Sequence, residues 1–210
     1  MTAMPPIKDL VVLTADKNAR FAVQGILVRH RSLHIRPIEP DYYLHPEKDP
    51  GVLRTAHDFL RPFSKAYAHA LVLMDREGSG EDSVGRADME TRIESALSKS
   101  GWDDRAKAVV IDPELDVWIW SDSPHIDLLL GWSQHKPDLR SWLREQKLLA
   151  IGTVKPARPK EALEVALRKV RKPRSSALYQ AVAEKVSLTK CTDSAFVKLK
   201  IVLQEWFPES

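Results

Sequence analysis

The sequence predicts an α/β fold, a mainly parallel sheet flanked by helices, with a C-terminal helical lobe. Three observations carry that expectation. Apolar, β-rich runs alternate with segments of helical periodicity up to residue 120, the order produced by strand–helix units of a parallel sheet. Between His69 and Asp75 the run ALVLM is apolar without interruption, as a strand covered on both faces requires. From residue 121 onward the pattern changes to helices and loops. The expected division is therefore 1–120 for the α/β domain and 121–210 for a helical region packed on or beside it.

The first strand is DLVVLTAD, residues 9–16, and KNARFAVQGILVRH then has helix-forming content with Asp16 or Asn18 as its cap. Prolines keep IRPIEPDYYLHP extended, and Leu53, Ala56, His57 and Leu60 recur at helical spacing until Pro62. After the third strand, a Gly-Ser-Gly turn leads to a helix with Met89, Ile93, Ala96 and Leu97 on one face and Gly101 as its stop. AKAVVIDPELDVWIW supplies a fourth strand that Pro113 interrupts, and the short crossovers should be right-handed. Beyond it, PDLRSWLREQ, EALEVALRKVRK, SALYQAVAEKV and DSAFVKLKIVLQEWF read as helices. In the last of these Phe196, Leu199, Leu203 and Trp206 share a face and Asp193 is the N-cap.

Composition excludes several classes. With 43% hydrophobic and 29% charged residues the chain is an ordinary globular one, and no apolar run approaches the roughly 18 residues that would span a bilayer. The first residues lack the pattern of a secretory signal, and the single cysteine, Cys191, excludes an intramolecular disulfide and a Cys-based zinc site. A cytoplasmic location is expected from these features. The net charge of +3 is unevenly spread: residues 1–150 carry 20 Lys/Arg and 23 Asp/Glu, and residues 151–210 carry 12 and 6.

In an open parallel sheet, ligands bind outside the carboxyl ends of the strands. Acids end three of the expected strands: Asp16 the first, Asp75 and Glu77 the third, and Asp112, Glu114 and Asp116 the fourth. Carboxylates converging from such ends suit Mg²⁺, or Mn²⁺ in its place, because hard cations take oxygen ligands and keep several waters. Arg76 and Lys17 lie beside the acids, where they either contact phosphate or neutralise their neighbours. The Gly-Ser-Gly turn is no phosphate loop, since it lacks the Lys-Ser/Thr ending and is flanked by Glu77 and Glu81. The seven histidines show no paired metal spacing, and no nucleophile elbow is present. Eight cations, Lys155, Arg158, Lys160, Arg168, Lys169, Arg171, Lys172 and Arg174, face only Glu161 and Glu164 in the same stretch. They form either a nucleic-acid-binding stripe or a solvated helix face.

An acid after the first strand and an acid-x-acid pair after the third resemble the Toprim domain, the metal-binding module of topoisomerases, primases and defence-associated nucleases. Asp16 matches that family's first acid, usually Glu, and Asp75 and Glu77 match its Asp-x-Asp pair. The fourth-strand Glu of the Toprim-like group is best matched by Glu114. FLRPFSKAYAHALVLMDREGSG, AVVIDPELDVWIWSDSPH, RPKEALEVALRKVRKPRSSALY and CTDSAFVKL are more particularly similar to small components of bacterial methylation-associated defence systems. That resemblance implies an antiphage setting with partner proteins. For Asp16, Asp75, Glu77 and Glu114 it implies metal-binding and catalytic roles in a Mg²⁺-dependent, nuclease-like protein. The alternative is a non-catalytic Toprim-like sensor or scaffold for defence partners.

Overall fold

The computed structural model describes residues 7–209. Four strands, β1 (Lys8–Thr14), β2 (Pro40–Leu44), β3 (Tyr67–Asp75) and β4 (Ala106–Ile111), form one all-parallel sheet in the order β2-β1-β3-β4. The expected α/β class is found. Alternation along each strand sends Leu10, Val12, Leu71, Leu73, Val109 and Ile111 to one face. The intervening residues Val11, Leu13, Val72, Met74, Ala108 and Val110 go to the other.

The connections explain which helix covers which face. From β1 the chain moves to one side to form β2, then crosses back over β1 to form β3 and continues to β4. Right-handed crossovers in opposite directions must pass over opposite faces. Accordingly α1 (Lys17–Leu27) packs on the first face, and α3 (Lys48–Leu60) and α4 (Arg86–Leu97) pack on the second. A short helix, α2 (His30–Leu33), follows α1, and a turn over Ser98–Trp102 ends α4 with Gly101 at φ +91°, a backbone conformation that glycine adopts without strain.

The expected fourth strand ends early. After Pro113 the chain makes a 3₁₀ turn, Leu115–Trp118, and Val117, Trp118, Ile119 and Trp120 are all buried in the first-face core. Burial of four consecutive side chains in one core is incompatible with the two-residue alternation of a strand, so this apolar run is a plug and not an extension of β4. Helices α5 (His125–Leu129), α6 (Leu139–Glu145), α7 (Pro159–Lys169), α8 (Ser176–Lys185) and α9 (Ser194–Trp206) complete the described chain, and their apolar faces join the same core. No helix among the described residues is long and apolar enough to cross a membrane.

Two contacts tie the C-terminal helices to the sheet domain. At the α1–α8 crossing Arg29 donates through Nη1 to the carbonyls of Ala183 and Val186, closing the C-terminal end of α8. At the far edge, the outward amides of β4 are capped by carboxylates from α4: Ala108 N–H donates to Glu94 and Val110 N–H to Glu90, both at 3.0 Å. Lys198 of α9 pairs with both glutamates, at 3.1 Å from Glu90 and 2.7 Å from Glu94. The edge strand is thereby closed to further pairing.

Gly25 sets the α1–α8 distance. A Cβ there would lie 2.7 Å from the Gln180 carbonyl oxygen and 2.8 Å from the Ala183 Cβ. Gly25→Ala should gain about 1 kcal/mol of helix propensity and lose about 1–3 kcal/mol to overpacking. A lower melting temperature in thermal denaturation is the expected net result, at roughly 2–4 °C for each kcal/mol in a chain of this size.

Candidate functional site

β1 and β3 are neighbours in the sheet, yet the helices that follow them leave over opposite faces. This is a topological switch point, and its crevice opens at the carboxyl ends of those two strands. Asp16 and Asp75 stand there. Asp16 follows β1 and caps α1, its carboxylate accepting from the Ala19 amide at 2.8 Å. Asp75 is the last residue of β3, and its Oδ1 accepts from the Leu115 amide at 2.9 Å.

Two further acids act on Asp75: Asp49, which completes the inner group, and Asp116, which belongs to the outer one. Asp49, in the first turn of α3, accepts the Asp75 amide at 2.8 Å. Asp116, in the 3₁₀ turn after β4, is 1% exposed and accepts from Arg174 Nη2 at 2.8 Å and from the Tyr179 hydroxyl at 2.7 Å. Burial pushes the Asp75 carboxyl well above the ordinary carboxylate range, and the charges of Asp49, Asp16 and Asp116 add to the effect. Burial also raises Asp49; the Asp75 amide opposes that rise and Asp16 reinforces it. Asp16, Asp49 and Asp75 have no ion-pair partner among the described residues, whereas Asp116 is neutralised by Arg174.

The other two expected site residues form an outer pair. Glu114 is buried, accepts the Lys160 amide at 3.2 Å and lies 3.6 Å from the Lys160 ammonium. Burial and then Asp116 raise its carboxyl, with Glu77 a weaker contributor in the same direction. Glu77 itself is exposed, its amide bonded to the Pro113 carbonyl at 2.9 Å. The charges of Asp16 and Asp116 both act on Asp75, and those of Asp116 and Glu77 both act on Glu114. Arg76, in the middle of the acidic triplet, turns to Asp112 at 2.8 Å and to the Asp82 carbonyl, so it braces the ends of β3 and β4.

No group of three His, Cys, Asp or Glu among the described residues is close enough to hold a metal ion entirely on protein ligands. The donor chemistry of Asp16, Asp49 and Asp75 nonetheless fits a hydrated Mg²⁺ or Mn²⁺: all are carboxyl oxygens without an ion pair among the described residues, and such ions need only one or two direct carboxylates.

The basic stretch divides into two sets. Lys155 pairs with Asp193, Arg158 with Glu161, Lys160 with Glu114 and Arg174 with Asp116, while Lys172 donates to the Leu129 carbonyl. Arg168, Lys169 and Arg171 are exposed and have no ion-pair partner among the described residues. Five of the eight cations therefore have a partner within the fold, Arg158 and Lys160 while still largely exposed, and three at the end of α7 have none among the described residues.

Sequence reasoning missed Asp49, and it counted Asp116 among the fourth-strand acids but chose Glu114 over it. A signal for Asp49 existed: β2 also delivers an acid just beyond its carboxyl end, in HPEKD. For Asp116 the strand-end signal was shared with Glu114, and the phase of a 3₁₀ turn, which sequence does not fix, decides how each is placed.

A carboxyl whose folded-state affinity for protons exceeds its unfolded one opposes folding once it ionises. For Asp75 that cost is absent below the unfolded value of 3.8 and grows as pH rises through the interval up to its folded value. Asp75→Asn retains the Oδ1 acceptor for Leu115 and removes the charge. In metal-free buffer it should melt above wild type at pH 7.5 by about 2–4 °C, with the difference vanishing near pH 4. Thermal melts across that range check both the sign and the slope.

The chain matches no family model, no curated protein and no solved structure, so its functional reading rests on this carboxylate rim and the cations around it.

Proposed function

We propose that this chain is a Mg²⁺-dependent, nuclease-like protein that processes phosphodiesters and acts with partner proteins in bacterial antiphage defence. The observation that carries the reading is the uncompensated carboxylate group of Asp16, Asp49 and Asp75 at the β1/β3 switch point. Asp75 and one of Asp16 or Asp49 would hold the cation, with Glu77 and Glu114 at the outer end of the rim. Bound there, Mg²⁺ or Mn²⁺ supplies Lewis acidity to a phosphoryl oxygen and a water of lowered pKa. The chain would contribute the carboxylate oxygens that hold the ion, with Asp75 releasing its proton as the ion binds, and backbone amides that keep those side chains oriented. Arg168, Lys169 and Arg171 would attract the nucleic-acid backbone that a rim without metal repels.

One observation favours the second reading, a non-catalytic Toprim-like sensor or scaffold. Glu114 and Asp116 are already neutralised by Lys160 and Arg174, so part of the rim is an internal ion-pair network. In that case the exposed cations of α7 dock a protein partner.

Calorimetric titration separates the two. Mg²⁺ or Mn²⁺ should give saturable binding to wild type, and Asp75→Asn should lose it while remaining folded by circular dichroism. Cleavage of single- or double-stranded DNA should fall with it by about 100-fold. Wild type that takes up neither metal, with or without DNA, sinks the catalytic reading and leaves the scaffold.

Salt dependence tests the cations. With Arg168, Lys169 and Arg171 as the phosphate contacts, log K should fall against log salt with a slope of about −2.7 on duplex DNA. Reversing charge at Arg168 and Arg171 should weaken all sequences alike and flatten that slope, measured by fluorescence anisotropy.

A further inference from the structure

Away from the carboxylate rim, three segments of the C-terminal region, around residues 118–122, 153–155 and 190–192, enclose a cleft of about 360 Å³. That volume lies within the range of small-molecule sites. Its floor is aromatic: Trp118 donates its indole N–H to Asp193 and Trp120 donates to the Pro159 carbonyl, each at 2.9 Å. Both indoles are buried, Trp120 almost completely, so they close the base of the cleft and only an edge of Trp118 is open to it. Val154 adds an apolar wall and is 46% exposed.

Charge at the mouth favours an anion. Lys155 and Lys190 line the cleft against a single acid, Asp122. Lys155 is 3.3 Å from Asp193, whereas Lys190 is exposed and has no ion-pair partner among the described residues. The cleft adjoins a second, almost wholly apolar pouch of about 30 Å³ between α1, α8 and Phe196. Trp118, Ser121 and Cys191 line both. Ser121 lines both cavities, but its hydroxyl is buried and has no hydrogen-bond partner among the described residues. Cys191 beside it is a packing residue, its thiol pushed up by burial and so held protonated.

We propose that this cleft binds a small organic anion with an apolar, ring-sized body: the anionic head sits near Lys190, the body lies against Val154 and the exposed edge of Trp118, and an apolar tip points toward the pouch. The site is separate from the carboxylate rim and does not depend on metal binding there.

The head-group chemistry is that of a carboxylate or a phosphate monoester, and three probes distinguish them. 1-Naphthoate, 1-naphthyl phosphate and neutral 1-naphthol are titrated into the full chain by isothermal calorimetry, with tryptophan fluorescence as a second signal. At least one anion should bind with Kd below about 1 mM, and 1-naphthol should bind about tenfold or more weakly. The tighter anion identifies the head group. Lys190→Glu, on an exposed and unpaired side chain, should weaken that anion by about tenfold or more, and Lys190→Arg should retain it. Lys65→Glu, on an exposed side chain that does not line the cleft, should leave binding unchanged. Equal binding of 1-naphthol, equal loss in Lys65→Glu and Lys190→Glu, or no binding of either anion would each overturn the proposal.

Discussion

The constraint on which the rest depends is the adjacency of β1 and β3 across a reversal of strand order. It sends α1 to one face of the sheet and α3 and α4 to the other, because right-handed crossovers in opposite directions allow nothing else. One face then has two crossover helices and the other has one. α1 alone cannot cover β3 and β4, whose Leu71, Leu73, Val109 and Ile111 would remain wet. The C-terminal region supplies the missing layer: α8 lies along α1, α9 reaches β4, and the plug of Val117 to Trp120 fills the space between. Apolar burial at about 25 cal/mol per Å² makes that layer a condition of folding and not an appendage.

The same reversal decides the electrostatics. Strand ends that meet at a switch point bring their loop acids together, and the C-terminal layer brings cations over the outer ones. Arg174 reaches Asp116, Lys160 reaches Glu114, and Tyr179 adds its hydroxyl to the first pair. A buried ion pair is weak support for stability when compared with an apolar replacement, but removal of one partner leaves a buried charge. The α7–α8 segment is therefore locked to the rim by charge as well as by packing.

Much of this was legible in the sequence, for reasons that differ by element. The strands showed themselves because both faces are covered, and the acids at 16 and 75 because each follows an unmistakable apolar run. Asp16 and Asp193 cap α1 and α9 as their positions before helical periodicity suggest. The fourth strand was misjudged in length, since Val117 to Trp120 has strand composition but is shaped by what it plugs. The basic stretch was harder still. Composition cannot distinguish a lysine that meets solvent from one such as Lys172 that reaches a carbonyl 43 residues away in the chain. The pairing of Arg174 with Asp116, 58 residues apart, is likewise a product of tertiary packing alone.

What distinguishes the inner acids from the outer ones is the kind of partner they have. Asp16 accepts the amide of Ala19, Asp49 that of Asp75, and Asp75 that of Leu115. A carboxylate has about four acceptor sites, and one amide leaves most of them open. Backbone amides orient a side chain without neutralising it, since they carry no net charge and cannot move away. Glu114 and Asp116, by contrast, are paired to long cationic side chains that compete directly with any other cation. The rim is thus graded from carboxyls oriented by backbone amides at Asp16, Asp49 and Asp75 to carboxylates paired with cations at Glu114 and Asp116. Burial and the neighbouring acids hold the Asp75 carboxyl toward its neutral form, so a cation bound there would have to displace that proton.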